Sequence, residues 1–231
     1  MARNRMAAHC RNVVKTYWTD TGEVEALRDV SIEFPAGVVT AVVGASGSGK
    51  SSLLRLLAGL DRPTSGTVMV GELDVGRLPR RAVRKLLRNM VGYVFQSPSD
   101  NFVSYLSVAE HLDLAARGGD GAADAGAILE QLGLSHRATH LPHELSGGEQ
   151  QRAAFAQVLM AGVSMIVADE PTAELDQRSS HDLLDTVGAL TAEGVTFVLA
   201  THDAQVGAIA EHRVEIDHGR ITNDASGSPG A

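Results

Sequence analysis

Residues 44–51 read GASGSGKS, a spacing of glycines, one lysine and one serine that suits a polyphosphate. Glycines in such a loop allow dihedrals in which successive backbone N–H groups converge on phosphate oxygens. Lys50 can reach the terminal phosphates and the Ser51 hydroxyl can ligate Mg²⁺, because a triphosphate is too highly charged to bind uncompensated. The residues predicted to contact a nucleotide here are Gly44, Ala45, Ser46, Gly47, Ser48, Gly49, Lys50, Ser51 and Ser52.

Two adjacent carboxylates end the apolar segment SMIVADEP at 164–171. Successive side chains of a strand point to opposite sides, so the two acids can have different tasks. We expect Asp169 to be the Mg²⁺ partner and Glu170 to orient, or take a proton from, a water that attacks the terminal phosphate. The competing interpretation is a solvated acidic turn after a core strand.

Two further polar side chains follow predicted strands. His202 comes after VTFVLA, at the carboxyl end of a strand, which is where open α/β sheets bind ligands. Its position predicts a contact with the terminal phosphate. Gln96 comes after VGYVF, and its neutral amide can touch the metal ion or the attacking water, although a plain surface role is the alternative.

A second glycine-rich turn before a helix occurs at 145–152, LSGGEQQR. The first N–H groups of a helix have no intrahelical acceptor, and the helix dipole favours an anion there. The sequence therefore predicts two anion sites but machinery for one nucleotide.

Strand-like and helical segments alternate at both ends of the chain, which predicts an α/β core with a parallel sheet. Residues 97–157 are mostly helical in pattern and are predicted to form a sub-lobe within a single domain spanning 1–223, followed by a disordered tail at 224–231. Strands are predicted at 30–34, 38–43, 67–70, 91–95, 163–168, 195–200 and 213–216, and helices at 51–60, 80–88, 107–117, 122–132, 149–161 and 179–192.

The composition favours a globular protein and argues against nucleic-acid binding, disulfide bonds and a membrane span. The 231 residues are 44% hydrophobic, enough for a substantial core. A formal charge of -8 without a long basic block argues against nucleic-acid binding. Cys10 is the single cysteine, so no internal disulfide is predicted. The amino-terminal residues lack the apolar core of a signal peptide, and no stretch approaches the roughly 20 apolar residues of a membrane span.

These motifs occur together in the order typical of ATP-binding cassette domains, which the chain resembles from about residue 12 to 221. The resemblance rests on GASGSGKS, Gln96, LSGGEQQR, MIVADE, AELD at 173–176 and His202. It implies a RecA-like P-loop NTPase core, an antiparallel β sub-lobe and the helical sub-lobe. It also implies ATP hydrolysis with ATP and Mg²⁺, and a head-to-tail dimer in which each nucleotide lies between one copy's phosphate loop and the other's LSGGEQQR.

The resemblance assigns roles to residues that pattern alone does not. Tyr17 matches the aromatic residue that stacks on adenine, with Trp18 as the alternative, and stacking by an aromatic ring agrees with that role. Glu170 matches the catalytic glutamate. Ser146, Gly147 and Gly148 match the donors to the partner's terminal phosphate, and Asp176 matches the loop that links the two sites.

Within this family the chain most resembles the branch of lipoprotein-release, macrolide-export and cell-division cassettes. That branch implies transmembrane permease subunits with few spans and large extracytoplasmic domains, and a location on the cytoplasmic face of the membrane. The segment SPSDNFVSYLSVAEHL after Gln96 departs from it, at the place where permease helices are expected to dock.

Two other functions remain open at this point. The same ATP cycle can serve a mechanical regulator of an envelope enzyme that transports nothing. A soluble cassette acting on ribosomes or DNA is the third reading, but a single cassette, the absence of heptads and the net acidity speak against it.

Overall fold

The chain forms two β-sheets, and the phosphate loop contacts the backbone of both. The structure is a computed structural model that describes residues 6–20, 22–117 and 123–226. One sheet has four strands in the order β2-β1-β4-β5, and the other has six in the order β10-β9-β3-β8-β7-β6. The strands are β1 Met6–Thr19, β2 Gly22–Pro35, β3 Val39–Val43, β4 Ser65–Val70, β5 Leu73–Asp74, β6 Val91–Val94, β7 Met165–Asp169, β8 Thr196–Thr201, β9 His212–Asp217 and β10 Arg220–Ser226.

The six-stranded sheet is parallel from β6 to β9 and carries β10 antiparallel on its edge. Its inner strands are apolar and buried on both faces, as expected of a parallel sheet covered by helices. All these parallel strands end at one edge, and β3, which leads into the phosphate loop, lies between β8 and β9. The edge therefore collects the segments that follow β3, β7 and β8.

Seven α-helices are described, three of them between β6 and β7. They are α1 Lys50–Leu57, α2 Arg80–Asn89, α3 Val108–Ala116, α4 Ala125–Gln131, α5 Gly147–Met160, α6 Gln177–Ala192 and α7 Ala204–Ile209. The described residues between β6 and β7 form helices and turns without a strand, so the predicted helical sub-lobe is present. Together with the four-stranded antiparallel sheet it confirms the predicted α/β fold.

Two apolar cores cover the two faces of the six-stranded sheet. On one face, α1 and the antiparallel sheet bury leucines such as Leu53 and Leu57 with Phe34. On the other, Phe155 of α5 and Leu183 of α6 pack against the strands. Because α1 packs between the sheets, its amino end, which begins the phosphate site, is held rigidly in the molecule.

The amino-terminal strand was absent from the sequence prediction, and the structure shows why. Buried Ala8 and Cys10 alternate with solvent-facing neighbours, but the alternation shifts phase before Val13 and Lys15 become the buried positions. Asn12, with φ of 48°, lies in this bulge. A bulge adds a residue to one strand and breaks the two-residue period on which strand prediction depends.

The prediction of a disordered tail from residue 224 was wrong at its start. Asp224, Ala225 and Ser226 pair with β9 as part of β10, and Asp224 Oδ1 lies 2.6 Å from Nε2 of the buried His212. Hydrogen bonds to the sheet order this segment without apolar burial. Residues 227–231 of the predicted tail, and residue 122 of the predicted fourth helix, lie outside the described residues.

None of the helices in the described ranges has the length and apolarity needed to cross a bilayer. Cys10 is buried in the core, and burial raises the pKa of its thiol to about 12. The thiol is therefore protonated and unreactive at neutral pH.

The packing of α5 on β6 gives a test of the core. A methyl group on Gly92 would lie 2.7 Å from Cβ of Val158, so we expect Gly92→Ala to lower the free energy of unfolding by about 1–3 kcal/mol. The matched control is Gly188→Ala in α6, where nothing lies within 4 Å, and helix propensity predicts a gain of up to about 1 kcal/mol. Urea unfolding measures both, and an unchanged or stabilised Gly92→Ala protein would contradict this packing.

Candidate functional site

The phosphate loop joins β3 to α1 and leaves no room for side chains at two of its glycines. A Cβ on Gly44 would lie 2.2 Å from the Ile216 carbonyl oxygen of β9. A Cβ on Gly49, which has φ of 111°, would lie 2.5 Å from the Ala26 carbonyl oxygen of β2. The loop is thus packed against backbone from both sheets, and its glycines are required by space as well as by conformation.

Lys50 lies inside this loop and is buried. Its Nζ donates hydrogen bonds to the carbonyl oxygens of Gly44, at 2.8 Å, and Ala45, at 3.0 Å. The buried Ser48 hydroxyl has no hydrogen-bond partner among the described residues. Ala45, Ser46 and Gly47 are exposed at the tip. A cation and an unpaired hydroxyl therefore line a loop that is open to solvent, as an anion site requires.

Asp169 and Ser51 form the part of the site that suits a divalent cation. Asp169 ends β7 and is buried, and its carboxylate lies beside the Ser51 side chain. Burial raises the pKa of Asp169, and Oδ1 has no hydrogen-bond partner among the described residues. A buried carboxylate oxygen without a donor, next to a hydroxyl, has the chemistry of an Mg²⁺ ligand pair.

The described residues contain no group of three or more His, Cys, Asp or Glu side chains that could hold a metal ion alone. Mg²⁺ commonly takes one or two protein ligands and completes its shell with waters and substrate phosphates. The Asp169 and Ser51 pair fits that pattern.

Glu170 lies between a lysine and a histidine at the same sheet edge. Its Oε1 is 4.0 Å from Lys50 Nζ and its Oε2 is 3.0 Å from His202 Nδ1. Its φ of 49° is unusual for a residue with a side chain, and its N–H donates to the Ala200 carbonyl oxygen of β8. Left-handed backbone at a non-glycine residue is a strain that concentrates at functional sites. With this backbone conformation the Glu170 carboxylate lies between Lys50 and His202.

A hydrogen bond that the sequence did not predict joins the loops after β7 and β8. The Thr172 hydroxyl donates to Asp203 Oδ2 at 2.9 Å, and the Asp203 N–H donates to the buried Thr201 hydroxyl. This bond holds the loop that carries His202 against the loop that carries Glu170. Asp203 directly follows His202 in the sequence, but no local pattern pairs it with Thr172.

Gln96 follows β6 at the same edge and is exposed. No contact among the described residues joins its side chain to Lys50 or Glu170. The structure thus brings together the phosphate loop, Asp169, Glu170 and His202, and leaves Gln96 at the edge of that group.

Tyr17 belongs to a partly buried cluster that the sequence did not reveal. Its hydroxyl donates to Asp61 Oδ2 at 3.0 Å and also contacts Ser52 of α1. Lys15 Nζ lies 2.7 Å from Asp61 Oδ1 and 4.5 Å from the centre of the Tyr17 ring. Burial alone would raise the pKa of Asp61, but the hydrogen bonds from Lys15 and its neighbours lower it. Trp18, in contrast, is 81% exposed.

Ser146 caps the amino end of α5 and begins the second predicted anion site, residues 146–148. The Ser146 hydroxyl accepts from the N–H of Glu149, and the Ser146 N–H donates to Glu149 Oε2, which forms a capping box. Partial burial raises the pKa of Glu149, but hydrogen bonds from Ser146 and Arg137 outweigh it and lower the pKa to about 2. Ser146 and Gly147 are exposed, and no described contact joins them to the phosphate loop.

Comparison with known proteins agrees with this geometry. Residues 27–173 match the family model described as ABC transporter. The macrolide export ATP-binding/permease protein MacB of Burkholderia thailandensis is 42% identical over 207 residues, which cover 87% of this chain and 31% of that protein. The pyoverdine export ATP-binding/permease protein PvdT of Pseudomonas fluorescens is 39% identical over 224 residues, covering 94% and 34%. The chain thus spans about a third of the length of the curated relatives it matches.

Two solved structures share the fold over nearly the whole chain. The dimeric structure of MJ0796, a bacterial ABC transporter cassette, has a TM-score of 0.88 at 30% identity and covers 95% of this chain and 98% of its own. The dimeric post-hydrolysis state of the same cassette bound to ADP and Pi has the same TM-score at 29% identity. With the family model covering more than half of its length, the chain belongs to the ABC transporter family, and its fold is that of an ATP-binding cassette.

Proposed function

We propose that the chain is the ATP-hydrolysing part of a membrane export complex and that closure of a dimer on ATP moves the transmembrane partners. The observation that carries this proposal is the position of Glu170, whose two carboxylate oxygens face Lys50 and His202 at the edge beside the phosphate loop. A base, a phosphate-binding cation and a polar imidazole in one cluster suit attack of water on a terminal phosphate.

Phosphate binding follows from the loop itself. Lys50 would exchange the carbonyl oxygens of Gly44 and Ala45 for phosphate oxygens, and the Ser48 hydroxyl would gain a partner. Residues 44–52 would supply the remaining donors from backbone N–H groups and hydroxyls. Asp169 and Ser51 would hold Mg²⁺, with Gln96 approaching when nucleotide binds, and the bound ion would neutralise phosphate charge.

Glu170 would orient the attacking water and take its proton. The fixed backbone at Glu170 and the bond between Thr172 and Asp203 keep the carboxylate and His202 in place before nucleotide arrives. His202 would contact the terminal phosphate from the next strand. Groups held in position in this way do not have to reorganise during the reaction.

The second anion site would complete the active site of another copy. The N–H of Glu149 is occupied by the Ser146 hydroxyl, which leaves those of Gly147 and Gly148 for a ligand at the positive end of α5. Because Gly147 is exposed, Gly148 is half-exposed and neither has a described contact with the phosphate loop of its own chain, a head-to-tail dimer would place their N–H groups on the partner's nucleotide. The dimeric structure of the similar MJ0796 cassette supports the dimer of this proposal.

We assign the adenine contact to Tyr17. Its hydroxyl is anchored to Asp61 and its ring lies beside α1, so little conformational freedom is lost when a base stacks on it. Trp18 is exposed and would have to become ordered on binding.

Export is the direction we propose, because MacB and PvdT are named as export ATP-binding/permease proteins. Transmembrane permease partners with few spans and a large extracytoplasmic domain, and attachment at the cytoplasmic face of the membrane, belong to the same proposal. The mechanical regulator of an envelope enzyme is less favoured, since the relatives named here are exporters.

Glu170→Gln should retain ATP binding, lower kcat by about 10²-fold or more and trap an ATP-bound dimer, because the base is lost while the phosphate contacts remain. Light scattering with ATP and a phosphate-release assay measure the two effects. The matched control is Glu193→Gln at the exposed end of α6, which should behave as wild type. Full turnover by Glu170→Gln would contradict the role of this carboxylate.

Ser146→Arg should bind ATP as a monomer but fail to close the dimer, because the new side chain occupies the place of the partner's nucleotide. The double variant Ser146→Arg/Glu170→Gln should stay monomeric with ATP, whereas Ser135→Arg on the same sub-lobe should not prevent closure. If Ser146→Arg also lost ATP binding as a monomer, the second anion site would belong to the same chain's nucleotide.

Tyr17→Leu should weaken ATP binding about tenfold, since a stacked base is worth about 1–3 kcal/mol. Trp18→Leu should change the Kd little. Titration with a fluorescent ATP analogue measures both variants, and the reverse ranking would move the adenine contact to Trp18.

A further inference from the structure

Helix α2, Arg80–Asn89, presents a wholly cationic face. Its sequence RRAVRKLLRN contains no acidic residue. At 3.6 residues per turn its five cations fall within one arc of about 140°. We call this arc the α2 basic face; it consists of Arg80, Arg81, Arg84, Lys85 and Arg88. The opposite side carries Leu86 and Leu87, which pack into the core.

The cations of the α2 basic face have no acidic partners among the described residues. Other arginines do pair, for example Arg137 with Glu149 at 2.8 Å and Arg213 with Glu215 at 3.1 Å. The whole chain carries -8, so the residues outside the α2 basic face carry a net -13 once its five charges are set apart. An unneutralised positive strip on an acidic protein is a localised site for anions.

A cavity of about 850 Å³ deepens one side of this face. Arg80 and Arg84 line it from α2, and Arg62 lines it from the loop after α1. The single acid in its wall is Asp61, whose carboxylate is already bonded to Lys15 Nζ and the Tyr17 hydroxyl. The cavity therefore offers guanidinium groups to an anion without a competing free carboxylate.

We propose that the α2 basic face and this cavity bind the headgroups of anionic phospholipids and so hold the cassette against the membrane surface. Guanidinium groups match the geometry of phosphate oxygens, and an amphipathic helix with a basic face is suited to a charged bilayer. The strip is one helix of ten residues, short beside a nucleic-acid duplex, and the acidic remainder of the chain would repel a long polyanion.

The inference rests on the proposed function, which brings the cassette to a membrane. It adds that the cassette contacts lipid directly, through residues that take no part in nucleotide binding. The cassette would then be attached to the membrane by lipid headgroups as well as by the permease.

The test uses the full chain and sedimentation with vesicles. Wild type should bind vesicles rich in phosphatidylglycerol, bind vesicles of pure phosphatidylcholine far less, and lose binding as salt is raised. Arg80→Glu/Arg84→Glu should weaken binding to the anionic vesicles roughly tenfold or more, because the attraction of each basic residue to the anionic lipids adds to the binding free energy. ATP hydrolysis in solution should be unchanged.

The matched control is Arg11→Glu/Arg220→Glu, which makes the same charge change at exposed arginines of the two sheets. It should keep most of the vesicle binding. Arg80 lies in the first turn of α2, where an acidic residue suits the helix dipole, and Arg84 is exposed, so the test variant should fold. Circular dichroism checks whether the variant folds. If folding is impaired, Arg80→Gln/Arg84→Gln is tested in place of Arg80→Glu/Arg84→Glu.

Equal loss in both double variants would show that only net charge matters and would overturn the assigned face. Binding to neither vesicle type by a protein that hydrolyses ATP would overturn the lipid proposal and leave the proposed function intact. Tighter binding to single-stranded DNA than to anionic vesicles, lost in the test variant, would reassign the face to nucleic acid. Vesicle binding without any ATP hydrolysis would overturn the proposed function instead.

Discussion

The packing of the phosphate loop between two sheets is the constraint on which the rest of the site depends. Gly44 touches the backbone of β9 and Gly49 touches that of β2, so neither position can hold a side chain without displacing a strand. The Gly219 N–H donates to the Ser48 carbonyl oxygen and the Arg28 N–H to that of Gly219, which joins the loop to both sheets. The loop therefore has its shape before a ligand binds, and Lys50 fills it with its own cation.

The chemistry depends equally on the order of strands. Because β3, β8 and β7 are neighbours and parallel, the segments after them end at one edge. Asp169 and Glu170 leave β7 in different directions, one toward Ser51 and the other toward Lys50 and His202. In the proposed mechanism two adjacent acids would thereby divide a metal-binding task from a proton-accepting one, and the left-handed turn at Glu170 would serve that division.

Two surfaces of the cassette point outward for different purposes. The amino end of α5 presents backbone donors whose only use in our proposal is in a second copy, so the active site is incomplete in one chain. The α2 basic face presents side-chain cations on another helix, with no partner among the described residues. The first is a short-range contact that requires exact placement of a phosphate, whereas the second acts through charge and tolerates a mobile lipid surface.

The sequence by itself determined those features of the protein that depend only on residues close together in the chain. The phosphate loop, the apolar strands and the helices follow from local patterns, and the candidate site residues Asp169, Glu170 and His202 could be named from their positions after strands. Tertiary structure decided how distant segments meet. Lys15 and Asp61, 46 residues apart, hold Tyr17, and Thr172 and Asp203, 31 apart, join two loops of the site. The bulge at Asn12 and the pairing of β10 also depended on partner strands. Local periodicity contains no information on such pairs, because their energy comes from hydrogen bonds and charge contacts that form only when the chain has folded.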